Sequence, residues 1–213
     1  MRQDYFLYPG MDYSMGFTSR GCPRHCYFCV VPKKEGAYQR WQHPSVWHDP
    51  KFSKAKLLDN NWYADRDWFM ETSQWFIDHK IAVDVTQGMD IRLLTDEIAS
   101  QLKRLKWSAP VHFAFDDEKY AQAVEDGIGI LKKAGFNLHS SGSIYVYCHD
   151  NAHYESALER CRLLKEWGAT AFLMWNCDNK DKSREVKDLQ WIVNRRLAYW
   201  TKGSLDTPKR VSA

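Results

Sequence analysis

Beyond residue 54, short apolar runs return at a spacing that few architectures accommodate. The runs at 55–58, 81–86, 111–115, 143–148 and 171–176 start 26 to 32 residues apart, which is the length of a βαβ unit. Between them Ile98, Leu102 and Leu105 recur at helical spacing, as do Val124, Ile128 and Leu131. Val186, Leu189, Val193, Leu197 and Trp200 repeat the pattern near the C-terminus. Thr95 is placed to cap a helix whose first turn holds Asp96 and Glu97, and Gly135 and Gly168 sit where helices should stop. With residues 13–19 as an earlier strand, the pattern predicts six strands, five of them followed by a helix. Right-handed βα repetition gives either a doubly wound sheet or a curved, barrel-like one, and period alone does not choose. In both, the C-terminal ends of the strands carry the chemistry. Those ends are polar: 20–22, Asp59-Asn60-Asn61, Gln87-Gly88-Met89-Asp90, Asp116-Asp117, His149-Asp150 and Asn176-Cys177-Asp178. One pole therefore collects acids, amides and three clustered cysteines.

Composition narrows the class. A chain of 213 residues with 44% hydrophobic and 27% charged content has the profile of an ordinary soluble domain with a sizeable core. A formal charge of +3 with no basic block gives no indication of nucleic acid. No run approaches the roughly 20 apolar residues of a membrane span, and the first residues hold no apolar signal core, so a cytoplasmic location is expected. Three of the six cysteines crowd into eight residues, which indicates metal binding in a reducing compartment rather than disulfides. Residues 30–54 hold Pro32, Pro44, Pro50 and the pair Lys33-Lys34, and are expected to form a long crossover loop. The expected organisation is one core domain over 1–201, with a cysteine loop at 20–36 and a frayed tail at 202–213.

The cysteines lie in Gly21-Cys22-Pro23-Arg24-His25-Cys26-Tyr27-Phe28-Cys29, directly after the first expected strand. Three thiolates from one short loop bind three corners of an iron–sulfur cube and leave the fourth iron without a protein ligand. An open coordination position distinguishes a catalytic metal from a structural one. Two plainer readings compete. A zinc site would add His25 or His43, although no second cysteine knuckle is present. A four-cysteine electron-transfer cluster would add Cys148 or Cys177. Taken singly, Cys148, Cys161 and Cys177 read as small buried hydrophobes.

This spacing after a first strand resembles the radical S-adenosylmethionine (SAM) superfamily, over nearly the whole chain. Phe28, before the last cysteine, matches the aromatic residue common there. More narrowly, YSMGFTSRGCPRHCYFCVVPKKEG and DVTQGMDIRLL look like uncharacterised Fe–S oxidoreductases related to the cobalamin-binding subgroup. Those relatives carry an extra N-terminal Rossmann-like segment, whereas this chain begins just before strand one, and no cobalamin is predicted. The resemblance implies an α/β fold of the partial (β/α)6 barrel type, with a 4Fe–4S cluster on Cys22, Cys26 and Cys29. It implies SAM bound to the open iron through its amino and carboxylate groups, with Phe28 near the adenine. Reductive cleavage of SAM would yield a 5′-deoxyadenosyl radical that abstracts a hydrogen atom from an unidentified substrate, with flavodoxin or ferredoxin as reducing partner. Asp59-Asn60-Asn61 stands where the family carries a Gly-Gly-Glu-like motif for the SAM amino group. Gln87, Asp90, Arg92 and Asp116 are further candidate SAM contacts, a cation for the carboxylate and acids for the ribose. A solvated turn, a surface salt bridge or a helix cap is the competing role for each. The alternatives to this function are a glycyl-radical-type activase, which would need a large partner protein, and a non-catalytic zinc or Fe–S binding module.

Overall fold

The computed structural model describes residues 4–5, 7–139, 142–195 and 205. In chain order the first elements are β1 (Ser14–Gly16), β2 (Ser19–Arg20), α1 (Val31–Lys34), β3 (Gln39–Arg40), α2 (Pro44–Trp47) and β4 (Lys54–Leu57). Then follow α3 (Arg66–Asp78), β5 (Ala82–Val85), α4 (Asp96–Arg104), β6 (Val111–Ala114) and α5 (Ala121–Lys133). The last are β7 (Gly142–Cys148), α6 (Tyr154–Glu166), β8 (Ala171–Trp175) and α7 (Arg184–Asn194).

Strands β1, β4 and β5 form one parallel sheet, and β6, β7 and β8 a second. Parallel bridges Val83–Trp107 and Met89–Phe113 join the two, so the parallel strands stand side by side in chain order. This is the mixed α/β arrangement that the apolar spacing predicts. No pairing closes β1 onto β8 among the described residues.

Alternation along each strand sets the two faces of the sheet. Val111 and Phe113 of β6, Ile144, Val146 and Cys148 of β7, and Ala171 and Leu173 of β8 are buried in the core with the helices. Register puts Ala114, Tyr145 and Phe172 in one row on the opposite, partly open face. The helices start where capping side chains allow. Asp65 accepts from the Trp68 N–H, Thr95 from Ile98 and Ser183 from Val186, and each such cap contributes about 1 kcal/mol. Helix α4 carries Asp96 and Glu97 in its first turn and Lys103 and Arg104 in its last, the order its dipole favours. Gly135 and Gly168 adopt positive φ just past α5 and α6, as helix-ending glycines do. No helix among the described residues is long and apolar enough to cross a membrane.

Two expectations need correction. The first strand, expected over 13–19, ends at Gly16, and the chain turns so that β2 pairs antiparallel with β3. The expected crossover loop at 30–54 contains α1, β3 and α2. Its prolines start short helices: Pro32 stands in the first turn of α1 and Pro44 opens α2, where a fixed φ is preorganised and no N–H is missed. Leu197, Trp200 and the tail at 202–213 lie outside the described residues, except Leu205. That residue is buried, and its carbonyl accepts from Arg162 Nη2 at 2.9 Å.

Gly16 sits under the Trp47 indole, and a Cβ there would lie 2.4 Å from the ring. Gly129, exposed on α5, has nothing within 4 Å of the same position. In urea unfolding, Gly16→Val should therefore cost about 1–3 kcal/mol by overpacking. Gly129→Ala should gain about 0.5–1 kcal/mol of helix stability.

Candidate functional site

The cysteine motif forms a loop closed at its base. Gly21 has φ +72°, and a Cβ on it would meet the Ala37 carbonyl oxygen at 2.2 Å, so only glycine fits. The Cys22 N–H donates to the Gly36 carbonyl at 3.4 Å. One oxygen of Glu35, Oε2, accepts from the Gly21 N–H (2.9 Å), Arg20 Nε (2.9 Å) and Asn60 Nδ2 (2.8 Å). Burial works against the ionised Glu35, but these donors hold its carboxyl below the usual range. The loop thus leaves and rejoins the fold at one carboxylate, with Cys22, Cys26 and Cys29 all unpaired and partly exposed between its ends.

A second acid holds the middle of the loop. Asp90 accepts from Arg24 Nε at 2.7 Å, and from Arg92 Nε and Nη2 at 2.6 and 2.9 Å. Burial opposes its charge, and the two guanidinium groups outweigh that and keep it ionised below the ordinary range. Arg92 also lies over the Tyr120 ring at 4.1 Å. Asn61 Oδ1 accepts from the Asp90 N–H at 3.5 Å. The end of β4, the end of β5 and the cysteine loop are therefore joined in one network.

Electrostatics at the thiols follow from this packing. Burial pushes Cys22 up, against the Arg24 backbone N–H and the Asn61 amide, which favour its thiolate. Burial and the charge of Asp116 push Cys26 up, while Arg92 opposes them. Asp116 is itself pushed up to about 6 by burial, despite the nearby Arg160. Phe28 stacks on Tyr147, with ring centroids 4.3 Å apart and planes 29° apart.

The expected residues separate into groups. Asn60, Asn61, Asp90 and Arg92 come together around the loop, with Asp116 and Phe28 beside its thiols. Asp59, expected at the SAM amine, is fully buried, and its oxygens accept from the backbone N–H and hydroxyl of both Thr18 and Ser19 at 2.6–2.9 Å. Gln87 is exposed and is not drawn into the network. Sequence reasoning missed Glu35, Arg24 and Tyr147. Glu35 follows Lys33-Lys34 and reads as a solvated charge, Arg24 sits inside the motif, and Tyr147 hides in the alternation of an apolar strand.

The donor set suits an iron–sulfur cluster. Three soft thiols share one loop, and the buried Asn61 Nδ2, which makes no full hydrogen bond to a described residue, acts on the Cys22 sulfur among them. No three His, Cys, Asp or Glu side chains among the described residues are grouped to hold a single metal ion.

No protein-family model matches the sequence, and no curated protein is significantly similar to it. A solved structure is similar in fold: the radical S-adenosylmethionine methyltransferase TsrM from Kitasatospora setae, with cobalamin and a 4Fe–4S cluster bound. The TM-score is 0.59 at 12% identity, over 76% of this chain and 36% of that one. The likeness is one of fold. This chain spans about a third of the TsrM chain's length.

Asp116 generates a pH prediction. Its carboxyl, near 6 in the folded protein against an ordinary 3.8, binds its proton more tightly folded than unfolded. Stability should consequently fall as pH rises between those values and level off above about 6. Urea unfolding of Asp116→Asn should show a gain over wild type that is absent near pH 3.5, grows through pH 5 and is constant above pH 7. A pH-independent difference would contradict the shift.

Proposed function

We propose that the chain is a radical SAM enzyme whose parallel strands form a partial (β/α)6 barrel, with a 4Fe–4S cluster held by Cys22, Cys26 and Cys29. The observation that carries this reading is the closed loop of three unpaired thiols at the C-terminal pole of parallel strands, in a fold similar to that of a radical SAM methyltransferase. When bound, the cluster would supply the electron for reductive cleavage of SAM and so for hydrogen-atom abstraction from a substrate still to be identified.

Residues of the chain then divide the work. The three cysteines ligate the cluster, and the thiols' partial burial limits water access. Arg24 and Arg92, which share the Asp90 carboxylate, are the guanidinium groups available to a SAM carboxylate. Phe28 on Tyr147 offers a flat surface for an adenine. Asp59, whose oxygens are taken by Thr18 and Ser19, braces the approach to the loop, and Asn60 braces its base through Nδ2 while its Oδ1 remains the candidate acceptor for the SAM amine. A reducing partner of the flavodoxin or ferredoxin type would deliver the electron. The cobalamin of TsrM belongs to that protein, and no corresponding site is proposed here.

The test is metal content after anaerobic reconstitution. Wild type should bind about four iron and four sulfide per chain. Cys22→Ala, Cys26→Ala and Cys29→Ala should each lose most of the cluster, whereas Cys148→Ala, Cys161→Ala and Cys177→Ala should retain it. One zinc per chain, or a requirement for Cys148 or Cys177, would contradict the assignment.

A further inference from the structure

Asn61 follows β4 and is 2% exposed. Its two amide ends are treated differently by the fold. Oδ1 accepts from the Asp90 backbone N–H, and the Asp90 carboxylate binds Arg24 of the cysteine loop. That contact, at 3.5 Å, favours this orientation of the amide, because flipping it would set NH2 against N–H. Nδ2 is buried and makes no full hydrogen bond to any described residue. A buried amide donor left unpaired is destabilising, and such groups persist where something outside the polypeptide accepts the bond. The group this amide acts on is Cys22: it stands within hydrogen-bonding reach of the Cys22 sulfur and favours its ionised form, at a geometry that leaves Nδ2 short of a full hydrogen bond.

The occupied end is the acceptor and the free end is the donor. That polarity suits a negatively charged sulfur and does not suit an amine. We propose that Asn61 Nδ2 donates an N–H···S hydrogen bond to the iron–sulfur cluster at its Cys22 corner, and that this bond raises the cluster's reduction potential. The inference rests on the functional reading above and assigns Asn61 to the cluster, not to the SAM amino group. Hydrogen bonds to cluster sulfurs draw off negative charge and favour the reduced, more negative state, so their removal lowers the potential. Asp59 and Asn60 cannot substitute as donors, since the Asp59 oxygens accept from Thr18 and Ser19 and the Asn60 Nδ2 is committed to Glu35.

The experiment is a potentiometric titration of the anaerobically reconstituted full chain without SAM, followed by electron paramagnetic resonance (EPR). Asn61→Leu removes the donor at similar volume. Asn61→Asp keeps an acceptor for the Asp90 N–H, loses the donor, adds charge, and serves if the leucine variant does not fold. Both should bind iron as wild type does, with midpoints more negative than wild type and the larger shift in Asn61→Asp. A hyperfine coupling to an exchangeable proton, present in the reduced wild type, should disappear in both. Loaded clusters with unshifted midpoints and an unchanged coupling would overturn the proposal. A wild-type chain that takes up no iron would overturn the functional reading, and this inference with it, a result distinguishable from a loaded cluster of unshifted potential.

Discussion

A carboxylate with no exposed surface fixes the pole on which the rest depends. Asp59 lies just past β4 and accepts hydrogen bonds from Thr18 and Ser19, where the turn after β1 enters β2. Burial raises its pKa, and those donors act in the opposite direction. The Thr18 carbonyl in turn accepts from Trp68 Nε1 and from the Trp41 N–H, each at 2.8 Å. The chain therefore enters the cysteine motif from a turn locked to two strands and a helix. Removing the carboxylate would strand buried donors, the condition in which a single substitution costs most.

The acids of this pole build a frame. Glu35 closes the base of the cysteine loop, Asp90 holds its middle through Arg24, and Asp59 anchors its approach. Each carboxylate takes several donors, which is how a protein offsets the desolvation of a charge. The arrangement leaves Arg24 and Arg92 sharing one acid between them. Asp116 adds a negative charge beside Cys26 as pH rises through about 6. Three partly exposed thiols are thereby held on one braced loop.

How far this was legible in the sequence depends on the range of the forces involved. The βα period was legible because burial of one face imposes it on every strand and helix, and Thr95, Gly135 and Gly168 act on their own neighbourhood. The cysteines were legible because their spacing is local. The role of Asp59 was not, because its partners lie 40 and 41 residues away and polarity alone suggests a ligand. Glu35 escaped for the same reason: its contacts to Gly21 and Asn60 cross the loop, and two lysines before it imitate a solvated surface. The prolines of 30–54 misled in a different way, since proline opens helices as readily as it marks loops.

The fold is similar to that of TsrM, over about a third of that chain, and the central claim is narrower than that likeness: three thiolates bind a cluster whose fourth iron is left for SAM. EPR spectroscopy of the reduced, reconstituted chain with and without saturating SAM addresses this most directly. Coordination of SAM to an open iron predicts a changed spectrum, with shifted g-values. An identical spectrum in the two samples would contradict the account.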